Sequence, residues 1–243
     1  MTERPDRPLD TASLEAAVGR VREELDAAAR VSGRGAGAVE LVLAGKYIPA
    51  EDTPALIAAG VGVVGENRLQ DLTARAQVAA GALTFDFIGH IQRKKVRDIL
   101  PAVRLIHSLD SERLAAEIAR RAEGEVRVLV ELNIAEESTK GGILPQSVRA
   151  FVEDVSVHAD LVIGGLMAMP PKQDVAENSR PFFDRTRRLA EDLRTEWAGR
   201  HDFRDLSMGT SQDYVVAAEE GATMVRVGRG LLADSGTTGT GIL

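Results

Sequence analysis

The feature that most constrains the fold is an alternation of strand-like and helix-like segments that runs from Val39 to the end of the chain. Apolar runs of strand length occur at 39–45, 61–65, 84–89, 103–107, 126–133, 161–166, 204–208 and 222–227. Helical patterns are expected between them at 49–59, from about 67, and at 91–100, 111–122, 145–158, 179–197 and 211–220. A helix between two strands is a crossover, and crossovers make strands parallel. Eight such units in about 200 residues fit a closed (β/α)8 barrel, whose usual size is about 250 residues. An open doubly wound sheet ranks lower, because it needs no eighth strand and no Gly-x-Gly-x-x-Gly turn follows the first one. An amphipathic helix over 11–30 precedes the barrel. Its apolar stripe is Leu14, Val18, Val21, Leu25 and Ala28, Asp10 or Thr11 can cap it, and Gly33, Gly35 and Gly37 end it. The expected organisation is α/β, with a single TIM barrel plus an N-terminal helix over 11–233 and flexible ends at 1–10 and 234–243.

Composition removes several kinds of chemistry. The chain has no cysteine, so a thiol nucleophile, a disulfide framework and a cysteine metal site are excluded. The net charge of −7 argues against broad nucleic-acid binding, and Arg93-Lys94-Lys95 reads as a solvated helix face. The most apolar stretch, 161–171, is too short to cross a bilayer, and the charged, proline-bearing first ten residues are unlike a secretory signal. A cytoplasmic protein with no membrane partner is expected.

In a barrel the functional groups follow the strands at the carboxyl face. Lys46 and Tyr47 follow the first strand, Glu66 and Asn67 the second, His90 and Gln92 the third, and His107, Ser108 and Asp110 the fourth. Asn133 and Lys140 follow the fifth strand, and Met167 and Met169 the sixth; these methionines and Trp197 are assigned to packing. The seventh gives Ser207-Met208-Gly209-Thr210-Ser211, expected to open a helix at Ser211, and the eighth gives Gly228-Arg229-Gly230. Loops after strands seven and eight are where barrels commonly hold a phosphate, and glycine-flanked amides plus an arginine suit an anion. Within Met224-Val225-Arg226-Val227, period two turns Arg226 into the barrel if the valines face the helices. A buried arginine needs a partner, either Glu40 or another carboxylate across the barrel, or a ligand. A lysine able to form a Schiff base, a phosphate site and an inward arginine on one face together suggest pyridoxal 5′-phosphate.

The motifs resemble those of the pyridoxal phosphate homeostasis protein family, built on the fold-type III barrel related to alanine racemase. The resemblance runs from about Val39 to Leu232. It rests on Ala44-Gly45-Lys46, Gly65-Glu66-Asn67, Phe87-Ile88-Gly89-His90-Ile91-Gln92 and Ile106-His107-Ser108-Leu109-Asp110. Glu137-Ser138-Thr139-Lys140-Gly141-Gly142, Gly165-Leu166-Met167-Ala168-Met169-Pro170-Pro171, Leu206-Ser207-Met208-Gly209 and the run Glu219 to Gly228 extend it. The resemblance implies that Lys46 carries the cofactor as an internal aldimine, that Arg226 faces the ring nitrogen and that Asn67 lies near the ring. It implies that Ser207, Met208, Gly209, Ser211, Gly228 and Arg229 belong to the phosphate loops. It further implies a mainly monomeric protein that holds pyridoxal phosphate, and passes it to apo-enzymes that need it, without robust turnover. Arg229, Thr210, Asp86, Lys94 and Tyr47 depart from the family's usual Ser or Thr, Met, His, Asn and Thr.

Three other readings compete. A small racemase-like enzyme would draw acid–base groups from His90, His107 or Tyr47. A Schiff-base lyase would use Lys46 on a sugar phosphate. A metal-dependent hydrolase would use His90, His107 and Asp110, but no familiar ligand spacing supports it.

Overall fold

The structure, a computed structural model, describes residues 9–233. The flexible ends expected at 1–10 and 234–243 lie almost wholly outside the described residues. A helix α1 (Thr11–Val31) leads into β1 (Glu40–Ala44), α2 (Thr53–Ala58), β2 (Val63–Glu66), α3 (Leu69–Ala79) and β3 (Thr84–Phe87). Then follow α4 (Val96–Ile99), β4 (Leu105–Leu109), α5 (Glu112–Arg121), β5 (Val126–Leu132), α6 (Val148–Val155) and β6 (Leu161–Ala168). The chain closes with α7 (Arg180–Glu196), β7 (Asp205–Thr210), α8 (Tyr214–Glu219), β8 (Met224–Val227) and α9 (Arg229–Ala233). The strands form a closed parallel barrel in sequence order, and β8 pairs back onto β1 with Val42 opposite Arg226. The open sheet is therefore excluded.

Period-two alternation divides the apolar residues between two cores. Val42, Val63, Leu105, Leu129, Met167 and Met224 form a cluster of their own inside the barrel. Leu41, Leu43, Val225 and Val227 belong to the larger core between strands and helices. Arg226, two residues from Met224, therefore shares the inward face.

Several helices are shorter than their apolar pattern suggests. The segment 49–59 is a 3-10 turn (Ala50–Asp52) followed by α2, with Pro54 in its first turn. The segment 91–100 is one turn of α-helix between two 3-10 turns, and Pro101 lies inside the second. Ser111 stands at the N-cap of α5, but its hydroxyl donates to Asp110 rather than accepting a helix amide. Asp10 does cap α1, accepting from the Ser13 amide at 3.2 Å. α1 lies against α2, α8 and α9, covering one side of the barrel.

The largest correction concerns Ser211. The strand β7 runs on to Thr210 and α8 begins only at Tyr214, so Ser211 does not open a helix. Asp213 Oδ1 accepts the Thr210 amide at 2.7 Å and holds residues 210–213 in a turn. The helix that starts beside the expected anion site is α9, at Arg229.

Candidate functional site

Lys46 stands in a 3-10 turn, Gly45–Tyr47, immediately after β1. Its side chain is exposed at the barrel mouth, and its Nζ lies 4.9 Å from the centre of the Tyr47 ring. Arg229 reaches the same ring, with Cζ 5.7 Å from its centre. Tyr47 in turn packs on Gly228, where a Cβ would come within 2.7 Å of the ring carbon Cδ2 and 3.1 Å of Ala44 Cβ. The end of β1 and the end of β8 thus meet with no room for a side chain between them.

Across this junction two backbone amides form a cradle around one side-chain oxygen. The amides of Gly228 and Gly230 both donate to Ser211 Oγ, each at 3.2 Å. The two N–H groups converge on a neutral hydroxyl, a partner that an anion's oxygen can replace or join, and paired amides of this kind suit an anion. Gly209 has φ +91° and faces α8, where a Cβ would come within 2.5 Å of Ala217 Cβ. Met208 is fully buried in the outer core, so only its backbone is available to a ligand. The Thr210 amide is already taken by Asp213.

Arg226 is buried and inward, as alternation predicts, but its partners are not carboxylates. Its Nη1 donates to the Ser207 carbonyl at 2.7 Å and to the Ser207 hydroxyl, and Nη2 donates to the Ala168 carbonyl at 3.1 Å. Burial lowers its pKa to about 10, still cationic at neutral pH. Glu40 is paired instead with Arg104, at 3.0 and 2.8 Å. Ser207 is therefore part of the support of Arg226 rather than of the Ser211 cradle. From Ser207 Oγ the contacts continue to His107 Nδ1 (2.9 Å), from His107 Nε2 to Asp86 (3.1 Å), and from Asp86 to Arg104 (2.8 Å). A hydrogen-bonded chain runs from Arg226 to the amino-terminal rim of the barrel. Burial and the two arginines push the His107 pKa down against the pull of Asp86. Burial would raise the Asp86 carboxyl, but the hydrogen bonds from His107 and Arg104 outweigh it and hold it below its ordinary value.

The remaining mouth residues divide. Asn67 is half-buried, and its Oδ1 is a buried acceptor with no partner. His90 Nδ1 lies 3.0 Å from Asp110 Oδ2. Glu131 faces Arg226, His90 and Asp110, and burial followed by repulsion from Asp110 raises its pKa. Asn133 closes its own loop on Glu137. Lys140 pairs with Glu137 at 2.7 Å and borders a cavity of about 280 Å³ with Lys172, Thr210, Asp213 and Arg229. Met167 packs inside the barrel, whereas Met169 is 53% exposed on that cavity, so the packing assignment fails for Met169. Glu66 turns away from the mouth towards Arg75 of α3.

Sequence reasoning passed over Arg75 and Asp213, and noted Asp86 only as a departure from the family's usual histidine. Arg75 and Asp86 both carried a signal. Arg75 sits on the apolar stripe of α3 with Leu72 and Ala79, and Asp86 alternates with Phe85 and Phe87 in a short strand. A charge on a face that must be buried needs a partner.

The family described as "Alanine racemase, N-terminal domain" matches residues 25–235. The "Pyridoxal phosphate homeostasis protein" of Aquifex aeolicus (strain VF5) is 37% identical over 215 residues, covering 87% of this chain and 93% of the relative. A solved structure of an unknown protein from Bifidobacterium adolescentis has a TM-score of 0.83 at 31% identity and covers 93% of this chain and 98% of that one. The structure of PipY from Synechococcus elongatus PCC7942 with PLP bound has a TM-score of 0.77 at 27% identity, covering 90% of this chain and 99% of that one. With this identity across nearly the whole of a relative and a match over 25–235, the chain belongs to the pyridoxal phosphate homeostasis protein family, built on the alanine racemase N-terminal-domain fold.

Proposed function

We propose that this protein binds pyridoxal 5′-phosphate through Lys46 and serves in its intracellular homeostasis, holding the cofactor and releasing it to apo-enzymes. The observation that carries the reading is the convergence of the Gly228 and Gly230 amides on one oxygen, just past the end of β8, the strand that pairs with β1, whose end leads into the turn bearing Lys46. The residues present fit the cofactor's groups. Ser211 and the two amides suit the phosphate, and the unpartnered Asn67 Oδ1 suits a hydroxyl donor on the ring. Arg226 Nε has no hydrogen bond among the described residues, which leaves it to face the ring nitrogen. When bound, the cofactor supplies an aldehyde for the lysine amine and an electron-withdrawing ring.

The chain's own residues favour holding over turnover. Arg226 keeps its proton far more tightly than a pyridine nitrogen would, so it donates a hydrogen bond and leaves the ring unprotonated. An unprotonated ring is a weaker electron sink, which weakens carbanion chemistry. Relatives carry the name of homeostasis proteins. Among the described residues no helix is long and apolar enough to cross a membrane, which agrees with a cytoplasmic site of action. A monomer is part of the same reading.

The test is near-visible absorbance on adding pyridoxal phosphate. The wild type should turn yellow and Lys46→Ala should not. Ser211→Ala should weaken the uptake. A wild type that stays colourless overturns the reading and brings the Schiff-base lyase forward. Rapid exchange of an amino acid's α-hydrogen with solvent would favour the racemase-like enzyme.

A further inference from the structure

We infer that Arg75 is a positioning residue for Lys46, fixing the turn that carries the amine from behind the barrel wall. The inference rests on the reading of Lys46 as the point of attachment.

Arg75 is 1% exposed and lies on α3, away from the mouth. A guanidinium has five N–H donors, and leaving any of them buried without an acceptor is costly. Here the three nitrogens make five contacts. Nε donates to Glu66 Oε1 at 2.5 Å. Nη1 donates to the Pro49 carbonyl at 3.4 Å and to Thr53 Oγ1 at 3.3 Å. Nη2 donates to the Gly45 carbonyl at 3.1 Å and to the Ile48 carbonyl at 2.7 Å.

Three of these acceptors are main-chain carbonyls of one short segment, and they lie on both sides of Lys46 and Tyr47. The same Gly45 carbonyl also accepts the Ile48 amide at 2.9 Å, closing the 3-10 turn. Glu66 fixes the guanidinium from the other side. Its carboxylate is fully buried, and a Cβ on Gly45 would come within 2.4 Å of Oε1, so turn and carboxylate are in contact. An ion pair serving stability alone needs only the carboxylate; this guanidinium also fixes the backbone that sets where the lysine starts.

Among the described residues the Lys46 amine has no hydrogen bond or ion pair, and it lies over the Tyr47 ring. A covalent bond from Nζ to a ligand already held by its phosphate depends on where the Lys46 Cα stands. Misplacing a reacting group by about 1 Å can cost on the order of a hundredfold of the advantage of holding it. Lysine at position 75 would keep a charge but could not span Glu66 and three carbonyls at once.

The experiment compares two ligands by calorimetry on the wild type, Lys46→Ala and Arg75→Lys. Pyridoxal 5′-phosphate has the aldehyde; pyridoxine 5′-phosphate has an alcohol there and cannot condense with an amine. Arg75→Lys should lose about tenfold or more in affinity for the aldehyde while the alcohol's affinity stays within about twofold, because only the aldehyde uses the positioned amine. Glu66→Gln, which keeps the oxygen acceptor and removes the charge, should show the same split to a smaller degree, and carries the test if Arg75→Lys does not fold. Equal losses for both ligands, or no loss for either, overturn the inference while leaving attachment at Lys46 intact. A wild type that binds both ligands alike, with no change in Lys46→Ala, overturns the attachment and this inference together.

Discussion

Arg226 and Ser207 are joined twice: Nη1 of the guanidinium donates both to the serine carbonyl, at 2.7 Å, and to the serine hydroxyl. The far end of the chain behind it sets the proton arrangement. Asp86, held ionised, can only accept, so His107 carries a hydrogen on Nε2, and with the imidazole neutral its Nδ1 accepts from the Ser207 hydroxyl. The charges are then confined to the ends, with a neutral imidazole between Arg226 and the Asp86–Arg104 pair.

Nitrogen-15 NMR of the ligand-free protein should therefore show His107 as the neutral Nε2–H tautomer. It should not titrate near the ordinary histidine value, since burial and the neighbouring arginines push its pKa down. A resonance that titrates near 6.5, or a proton on Nδ1, would contradict the arrangement.

Ser207→Ala removes the link and leaves His107 Nδ1 buried without its partner. The expected cost is roughly 1–3 kcal/mol, read from urea unfolding. The same variant should loosen Arg226, which keeps only its two carbonyl acceptors.

Gly228→Ala tests the junction between β1 and β8. The added Cβ would come within 2.7 Å of the Tyr47 ring and 3.1 Å of Ala44 Cβ, so Tyr47 must move and the cradle with it. Loss of pyridoxal phosphate binding is expected by absorbance titration. Gly62→Ala, where a Cβ meets nothing within 4 Å, should bind as the wild type does.

Stability should fall as the pH drops below 6.5. His201 accepts the Ile163 amide through Nδ1 at 3.2 Å and faces Ser156 Oγ through Nε2 at 2.9 Å. Burial lowers its pKa to about 4, so the unfolded chain takes up a proton in a range where the folded protein does not. Stability present above 6.5 is lost as the pH falls towards 4, on the order of 3 kcal/mol. In a chain of this size that is a fall in melting temperature of roughly 6–12 °C, and His201→Gln should flatten the curve.

The sequence by itself determined the barrel, the inward face of Arg226 and the placing of Lys46 at the mouth. These follow from short-range pattern: strand period two, the helix that makes each crossover, and the position of a residue relative to its strand's end. The resemblance extended this to a family that the comparisons support. What only the tertiary structure decided is which groups meet. Ser207 left the expected phosphate loop for Arg226 and His107, contacts 19 and 100 residues distant. Ser211 gained the amides of the next loop instead of a helix start. Arg75 showed only as a charge on an apolar stripe, and its acceptors lie up to 30 residues back. Hydrogen bonds of this kind depend on ångström-scale approach between strands brought together by barrel closure, and no local periodicity encodes that distance.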